Sequence, residues 1–176
     1  MKVVFLPNAV LRKKSLDVEK IDQKLKKDLN LMIALMYESK GIGISAVQVG
    51  ILKRFFVIDI SSENLGDSNL RSLFVEDNIK YPLIVINPQI INISEEQITE
   101  REGCLSIPGI FVDVPRYREI KLTFLDLTMK SRTIYCKDLL ARVVQHEYDH
   151  LNGKLIIDYL SYIKRDIIMK KIKKNS

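Results

Sequence analysis

An α+β fold follows from three features of the sequence. Apolar residues recur at three- and four-residue steps in residues 22–40 and again toward the C-terminus, the pattern of helices that bury one face. Alternation of apolar and polar residues at 90–99 and 120–124, with a further β-rich run at 131–137, argues for half-buried antiparallel strands. At 176 residues and 47% hydrophobic, the chain has the size of one ordinary domain and enough apolar side chains for a core without disulfide staples. Residues 1–176 are therefore expected to form a single domain.

The elements follow in order. Leu25, Leu29, Met32, Ile33 and Met36 mark the first helix, which Gly41 is expected to stop. Residues 41–50 combine small side chains with glycines at both ends and carry no helical stripe, which reads as a tight loop or irregular strand. Residues 54–60 are β-branched and aromatic enough for a strand, and 83–87 for another, ended by Pro88. The polar residues between them, 61–81, read as a surface excursion. A helix is expected from about Asp138, read as its N-cap, to Asn152 and Gly153. Beyond it, Leu160, Ile163, Ile167, Ile168 and Ile172 lie near helical spacing with lysines opposite, a terminal amphipathic helix.

Composition narrows the function. The longest apolar stretches fall well short of the ~20 residues of a membrane helix, and the first residues form too short an apolar run for a secretory signal. The two cysteines, Cys104 and Cys136, are too few for a disulfide framework and suit a reducing compartment, so a cytoplasmic protein is expected, with no membrane partner. The net charge of +6 suggests an anionic neighbour such as nucleic acid, a ribosome or a membrane surface, though the excess is mild and partly C-terminal.

The chemistry concentrates in Gln145-His146-Glu147-Tyr148-Asp149-His150. In His-Glu-x-x-His on a helix, one turn separates the two imidazoles, so both can grip one metal ion while the glutamate stands beside it as a general base. The chain has two histidines in all, and both fall in this motif. A catalytic site of this kind needs a third protein ligand and an open position. Downstream, only Asp158 and Asp166 offer an oxygen. Upstream, Cys104 lies between a glycine and a Pro-Gly turn, in a bent segment able to present a thiolate; the alternative for it is a buried structural cysteine. Cys136, in an expected strand, is read as structural.

Three blocks resemble peptide deformylases. Gly41-Ile42-Gly43-Ile44-Ser45-Ala46-Val47-Gln48 is similar to their Gly-x-Gly-x-Ala-Ala-x-Gln motif, Glu102-Gly103-Cys104-Leu105-Ser106 matches the second, and His146-Glu147-Tyr148-Asp149-His150 the third, in the same order and at fitting spacing. The chain departs from the family at Ser45, where the motif has alanine, and in a long 61–81 excursion.

The resemblance implies antiparallel strands surrounding the motif helix, and a hydrolase that removes formyl from the N-terminal methionine of newly made proteins. It implies that Cys104, His146 and His150 bind one divalent ion per chain, with Fe(II) expected in the cell and Zn(II), Ni(II) or Co(II) compatible with the donors. Glu147 would take a proton from the attacking water, and Gln48 and the Leu105 backbone N–H would steady the oxyanion. Ile42, Gly43 and Gly103 correspond to positions that hydrogen-bond the substrate backbone. Leu139 and Val143, one turn or more before the ligands, are candidates for the methionine pocket, and Glu102, Arg116 and Asp149 are expected to orient the ligands from behind. Lys164, Lys170, Lys171, Lys173 and Lys174 resemble the basic helix by which some bacterial relatives dock on ribosomes. Two rival readings are a metallopeptidase with Asp158 as third ligand and a non-catalytic ribosome-binding relative.

Overall fold

In the computed structural model of the chain, residues 1–65 and 79–174 are described. The first apolar stripe becomes α1 (Gln23–Glu38), capped by Asp22, whose carboxylate accepts the Leu25 N–H at 2.8 Å. The helix closes one residue before the expected glycine: Lys40 takes a φ of 54° and the Gly41 N–H returns to the Met36 carbonyl at 2.9 Å. Residues 41–50 form a three-residue strand, β1 (Gly43–Ser45), followed by a short 3-10 turn at Ala46–Val49.

Among the described residues, seven strands form two antiparallel sheets. One has five strands in the order β1, β2 (Phe55–Ile58), β3 (Leu83–Asn92), β6 (Glu119–Leu125) and β7 (Ser131–Lys137); the other pairs β4 (Gln97–Glu102) with β5 (Val112–Tyr117). The continuous apolar run of β2 has a simple cause, since the strand is covered on both faces. Phe55 and Val57 pack with Leu29, Met32 and Met36 of α1, whereas Phe56 and Ile58 pack with Leu140, Ala141 and Val144 of the motif helix. That helix, α3 (Asp138–Leu151), touches β1, β2, β5, β6 and β7 and so lies amid the strands. A short α2 (Ser62–Leu65) opens the expected excursion, of which residues 66–78 lie outside the described residues.

Two expectations need correction. Pro88 does not end a strand: β3 runs through it to Asn92, with a register shift between Ile86 and Gln89 and a φ of 48° at Asn87. A bulge tolerates proline because no ladder N–H is required there. Asp138 is not the N-cap of α3; Lys137 is, without a side-chain bond, and the Asp138 carboxylate pairs with Arg118 at 2.9 Å. The expected terminal helix is present as α4 (Tyr162–Lys174), with Ile168, Met169 and Ile172 packed partly on the body, while Ile163 and Ile167 are 71% and 61% exposed. Strand β5, with proline and charges in its sequence, had not been anticipated.

The N-terminal segment is sewn to the rest of the chain. The Val4 N–H bonds the Gln48 carbonyl at 2.7 Å, the Leu6 N–H that of Ser106 at 3.0 Å and the Ser15 N–H that of Leu151 at 2.9 Å. Leu6 and Leu11 pack with Ile107, Val114 and Ile157 in a third apolar cluster. Among the described residues no helix is long and apolar enough to cross a membrane.

Candidate metal centre

Helix α3 carries His146 and His150 one turn apart, their ring centroids 5.1 Å from each other. The third donor comes from another part of the fold. Strand β4 ends at Glu102, the chain turns so that the Ile107 N–H bonds the Cys104 carbonyl at 2.9 Å, and the thiol meets the histidines. The ligand atoms of Cys104, His146 and His150 all lie within 4.8 Å of one another, and Cys104 Sγ is 3.2 Å from His150 Nε2. Tetrahedral zinc, with Zn–S near 2.3 Å and Zn–N near 2.0–2.1 Å, would hold such atoms roughly 3.5 Å apart. The residues therefore fit a small divalent ion. Asp158 is elsewhere: its carboxylate takes the Leu155 N–H at 2.8 Å and pairs with Arg12 and Arg165, which removes it as a ligand.

Behind the ligands, a buried ionic cluster centres on Glu102. Its carboxylate accepts from Arg116 Nε and Nη2 at 2.9 and 3.0 Å, from Arg142 Nη1 at 2.8 Å, and from His146 Nδ1 at 2.9 Å. Burial disfavours its charge, but the hydrogen bonds from His146 and Arg116 overcome that and hold its pKa at about 2. Arg116 also reaches Asp149 at 2.5 Å and the Tyr159 hydroxyl at 2.8 Å. The guanidinium is buried, which alone would ease its proton off; Glu102 and Asp149 hold the proton more tightly than usual. Glu102, Arg116 and Asp149 thus all join this cluster, and Glu102 contacts His146 directly. Arg142 and Tyr159 were missed, although Arg142 precedes His146 by four residues and so shares its helical face.

Glu147 is 3% exposed. Its Oε2 accepts the Ser45 hydroxyl at 2.6 Å, and Gly43 packs so closely that a Cβ there would fall 2.5 Å from Oε1. Burial pushes its pKa up, with the His146 charge and the Ser45 hydroxyl pulling the other way. Burial likewise lowers the pKa of His150, which keeps that imidazole neutral and able to donate a lone pair. Gln48 is buried with Nε2 at 3.6 Å from Cys104 Sγ and 3.2 Å from Ser106 Oγ. The Leu105 N–H has no protein acceptor among the described residues.

These groups form one end of an open cavity of about 480 Å³, large enough for a few peptide residues. Ile42, Gly43, Gly103, Leu139 and Val143 all line it. Phe111, which the sequence did not single out, forms part of the wall: its ring packs against Gly103, where a Cβ would meet it at 3.0 Å, and lies 4.9 Å from the Arg101 guanidinium.

The chain matches the sequence profile of the family described as polypeptide deformylase over residues 1–166. It is 44% identical over 174 residues to peptide deformylase 1 of Rickettsia conorii, covering 99% of this chain and 95% of the relative, and 41% identical to a peptide deformylase of Bartonella tribocorum, covering 99% and 92%. The crystal structure of peptide deformylase from Ehrlichia chaffeensis superposes with a TM-score of 0.86 at 38% identity, covering 99% of this chain and 96% of that one. A structure of the Ehrlichia enzyme in complex with actinonin gives 0.87 at 37% identity, covering 100% and 97%. Identity of this level over nearly the whole of both chains, on one shared fold, leaves no room for a mere likeness of motifs: the chain belongs to the polypeptide deformylase family.

Proposed function

We propose that this chain is a metal-dependent deformylase that hydrolyses the formyl amide at the N-terminal methionine of new proteins, releasing formate and a free amine. The observation that carries the reading is the convergence of one thiol and two imidazoles beside a buried carboxylate at the end of a peptide-sized cavity.

Each residue then has a task. Cys104, His146 and His150 would hold the ion, one per chain, with Fe(II) as the ion in the cell and Zn(II), Ni(II) or Co(II) as substitutes. When bound, a divalent ion polarises the formyl oxygen and acidifies a neighbouring water. Glu147 accepts the proton of the attacking water and returns it to the departing nitrogen; its burial keeps its proton affinity high enough for both transfers. The Gln48 side-chain amide and the Leu105 N–H face the oxygen on which negative charge collects. Ile42, Gly43 and Gly103 offer backbone to an extended peptide, and Leu139 and Val143 line the space for the methionine side chain.

The basic face of α4 is the part that would dock on the ribosome, and the cytoplasm is the place where such an enzyme meets its substrates. The test is formate release from a formyl-Met tripeptide, with and without chelator, beside an unformylated peptide. Formate release abolished by chelator, with the unformylated peptide intact, is expected. Peptide-bond cleavage without formate would overturn the reading in favour of a metallopeptidase.

A further inference from the structure

Ser45 ends β1, is fully buried, and touches both side chains that act on the substrate's formyl group in the reading above. Its backbone N–H donates to Gln48 Oε1 at 2.8 Å. An amide held by its oxygen must turn its nitrogen the other way, and Gln48 Nε2 accordingly faces Cys104 Sγ and Ser106 Oγ. The Ser45 hydroxyl lies 2.6 Å from Glu147 Oε2 and 3.0 Å from the Glu147 carbonyl, one turn of proton rotation apart. The shorter contact, to the carboxyl oxygen, is the stronger of the two.

The last torsion of a glutamate is broad and roughly two-fold, so a carboxylate without a partner samples many orientations. Here both oxygens are constrained. Gly43, against Oε1, lines the cavity, whereas Ser45, against Oε2, does not. The hydroxyl therefore pins the far oxygen and leaves Oε1 as the one presented to the cavity. We propose that Ser45 is a positioning residue of this site, which fixes the Glu147 carboxylate through its hydroxyl and the Gln48 amide through its backbone. The inference rests on the deformylase reading. At the corresponding position of the family motif quoted above, alanine would supply the backbone N–H but not the hydroxyl, so the hold on Glu147 is what serine adds to that motif.

The experiment compares the wild-type protein with Ser45→Ala, Ser45→Thr and Ser45→Val, measuring kcat, KM, bound metal and melting temperature on a formyl-Met tripeptide. Thr and Val share a shape and differ in the hydroxyl, so their contrast separates hydrogen bonding from packing even if the added methyl group costs stability. One lost hydrogen bond of ordinary strength corresponds to about a 5-fold fall in kcat. That fall is expected in Ser45→Ala with KM and metal content unchanged, and Ser45→Thr should exceed Ser45→Val by a similar factor. Equal kcat in Thr and Val, an unchanged kcat in Ala, or a fall that tracks lost metal would each overturn the role. Absence of formate release by the wild-type protein would instead sink the deformylase reading.

Discussion

Glu102 Oε2 lies 2.9 Å from His146 Nδ1. Because Glu102 is ionised and can only accept, the histidine must donate through Nδ1, so Nε2 is the nitrogen left to a metal ion once its own proton is released. The carboxylate thus sets the tautomer of a ligand that it does not itself join. Replacing Glu102 with glutamine puts an amide among two arginines and allows the imidazole to turn. We expect metal affinity to fall by about 10–100-fold, as is usual when such a partner is removed. Titration of the metal-free protein with Zn(II) in a competing chelator would measure it, and unchanged affinity would show that the ligands hold their own orientation.

Glu147→Gln keeps the shape of the side chain and removes its basicity. We expect normal metal content and a loss of about 10²–10⁴ in kcat, the usual contribution of a general base. Formate release near the wild-type rate, with metal content verified, would remove Glu147 from the mechanism.

Gly43→Ala probes the same carboxylate from the other side. The added methyl carbon would fall 2.5 Å from Glu147 Oε1 and 3.1 Å from its Cδ, closer than atoms approach, so the carboxylate must move. A displacement near 1 Å of a reacting group costs about 10² in rate. Kinetics with a formyl-Met tripeptide should therefore show a loss on that scale in kcat/KM, and a crystal structure of the variant should show Glu147 displaced.

Cys104 and Asp158 separate the family reading from a metallopeptidase. Cys104→Ser replaces a thiolate with a poor neutral donor, so bound metal and formate release should both collapse. Asp158→Ala should leave both in place and act on stability, since the carboxylate it removes pairs with Arg12 and caps the Leu155 N–H. Metal analysis and thermal melting of the two variants decide; the reverse pattern would refute the ligand set.

On α4, Lys170 is engaged with Asp166 at 2.8 Å, which leaves Lys164, Lys171, Lys173 and Lys174 as the better candidates for an RNA contact. Changing these four to glutamine should weaken co-sedimentation with ribosomes and flatten its dependence on salt, while activity on short peptides persists. Co-sedimentation equal to that of the wild-type chain would return the lysines to an ordinary solvated face.

The pairing of His146 and His150 was legible because helical spacing converts directly into geometry: residues four apart share a face whatever surrounds them. Cys104 stood out as an upstream candidate from its glycine and Pro-Gly surroundings, but its approach to the histidines was not encoded locally, since β4 and the turn after it fold back from a distant part of the chain. The ionic cluster was half legible. Glu102, Arg116 and Asp149 stood in recognised motifs or patterns, whereas Arg142 and Tyr159 join them through tertiary packing that no local period encodes. Strand β5 escaped notice because its buried residues, Val112, Val114 and Arg116, include a charge that is satisfied by Glu102, Asp149 and Tyr159 from elsewhere in the chain. Pro88 misled for a related reason, since local preference says stop and the neighbouring strand supplies a bulge instead.

The stitching of the first residues to the back of the site bears on how the protein assembles. Arg12 meets Asp158 across 146 positions of sequence, and the Arg12 carbonyl lies so close to Gly153 that any side chain there would collide with it. Val4 and Leu6, in turn, hold the carbonyls of Gln48 and Ser106, one on a residue of the site and the other two residues after Cys104. Closing such long loops is slow relative to local pairing. The pairing of Ser15 with Leu151 and of Arg12 with Asp158 is therefore expected to follow local pairing, and it draws residues far apart in the chain together at the back of the site.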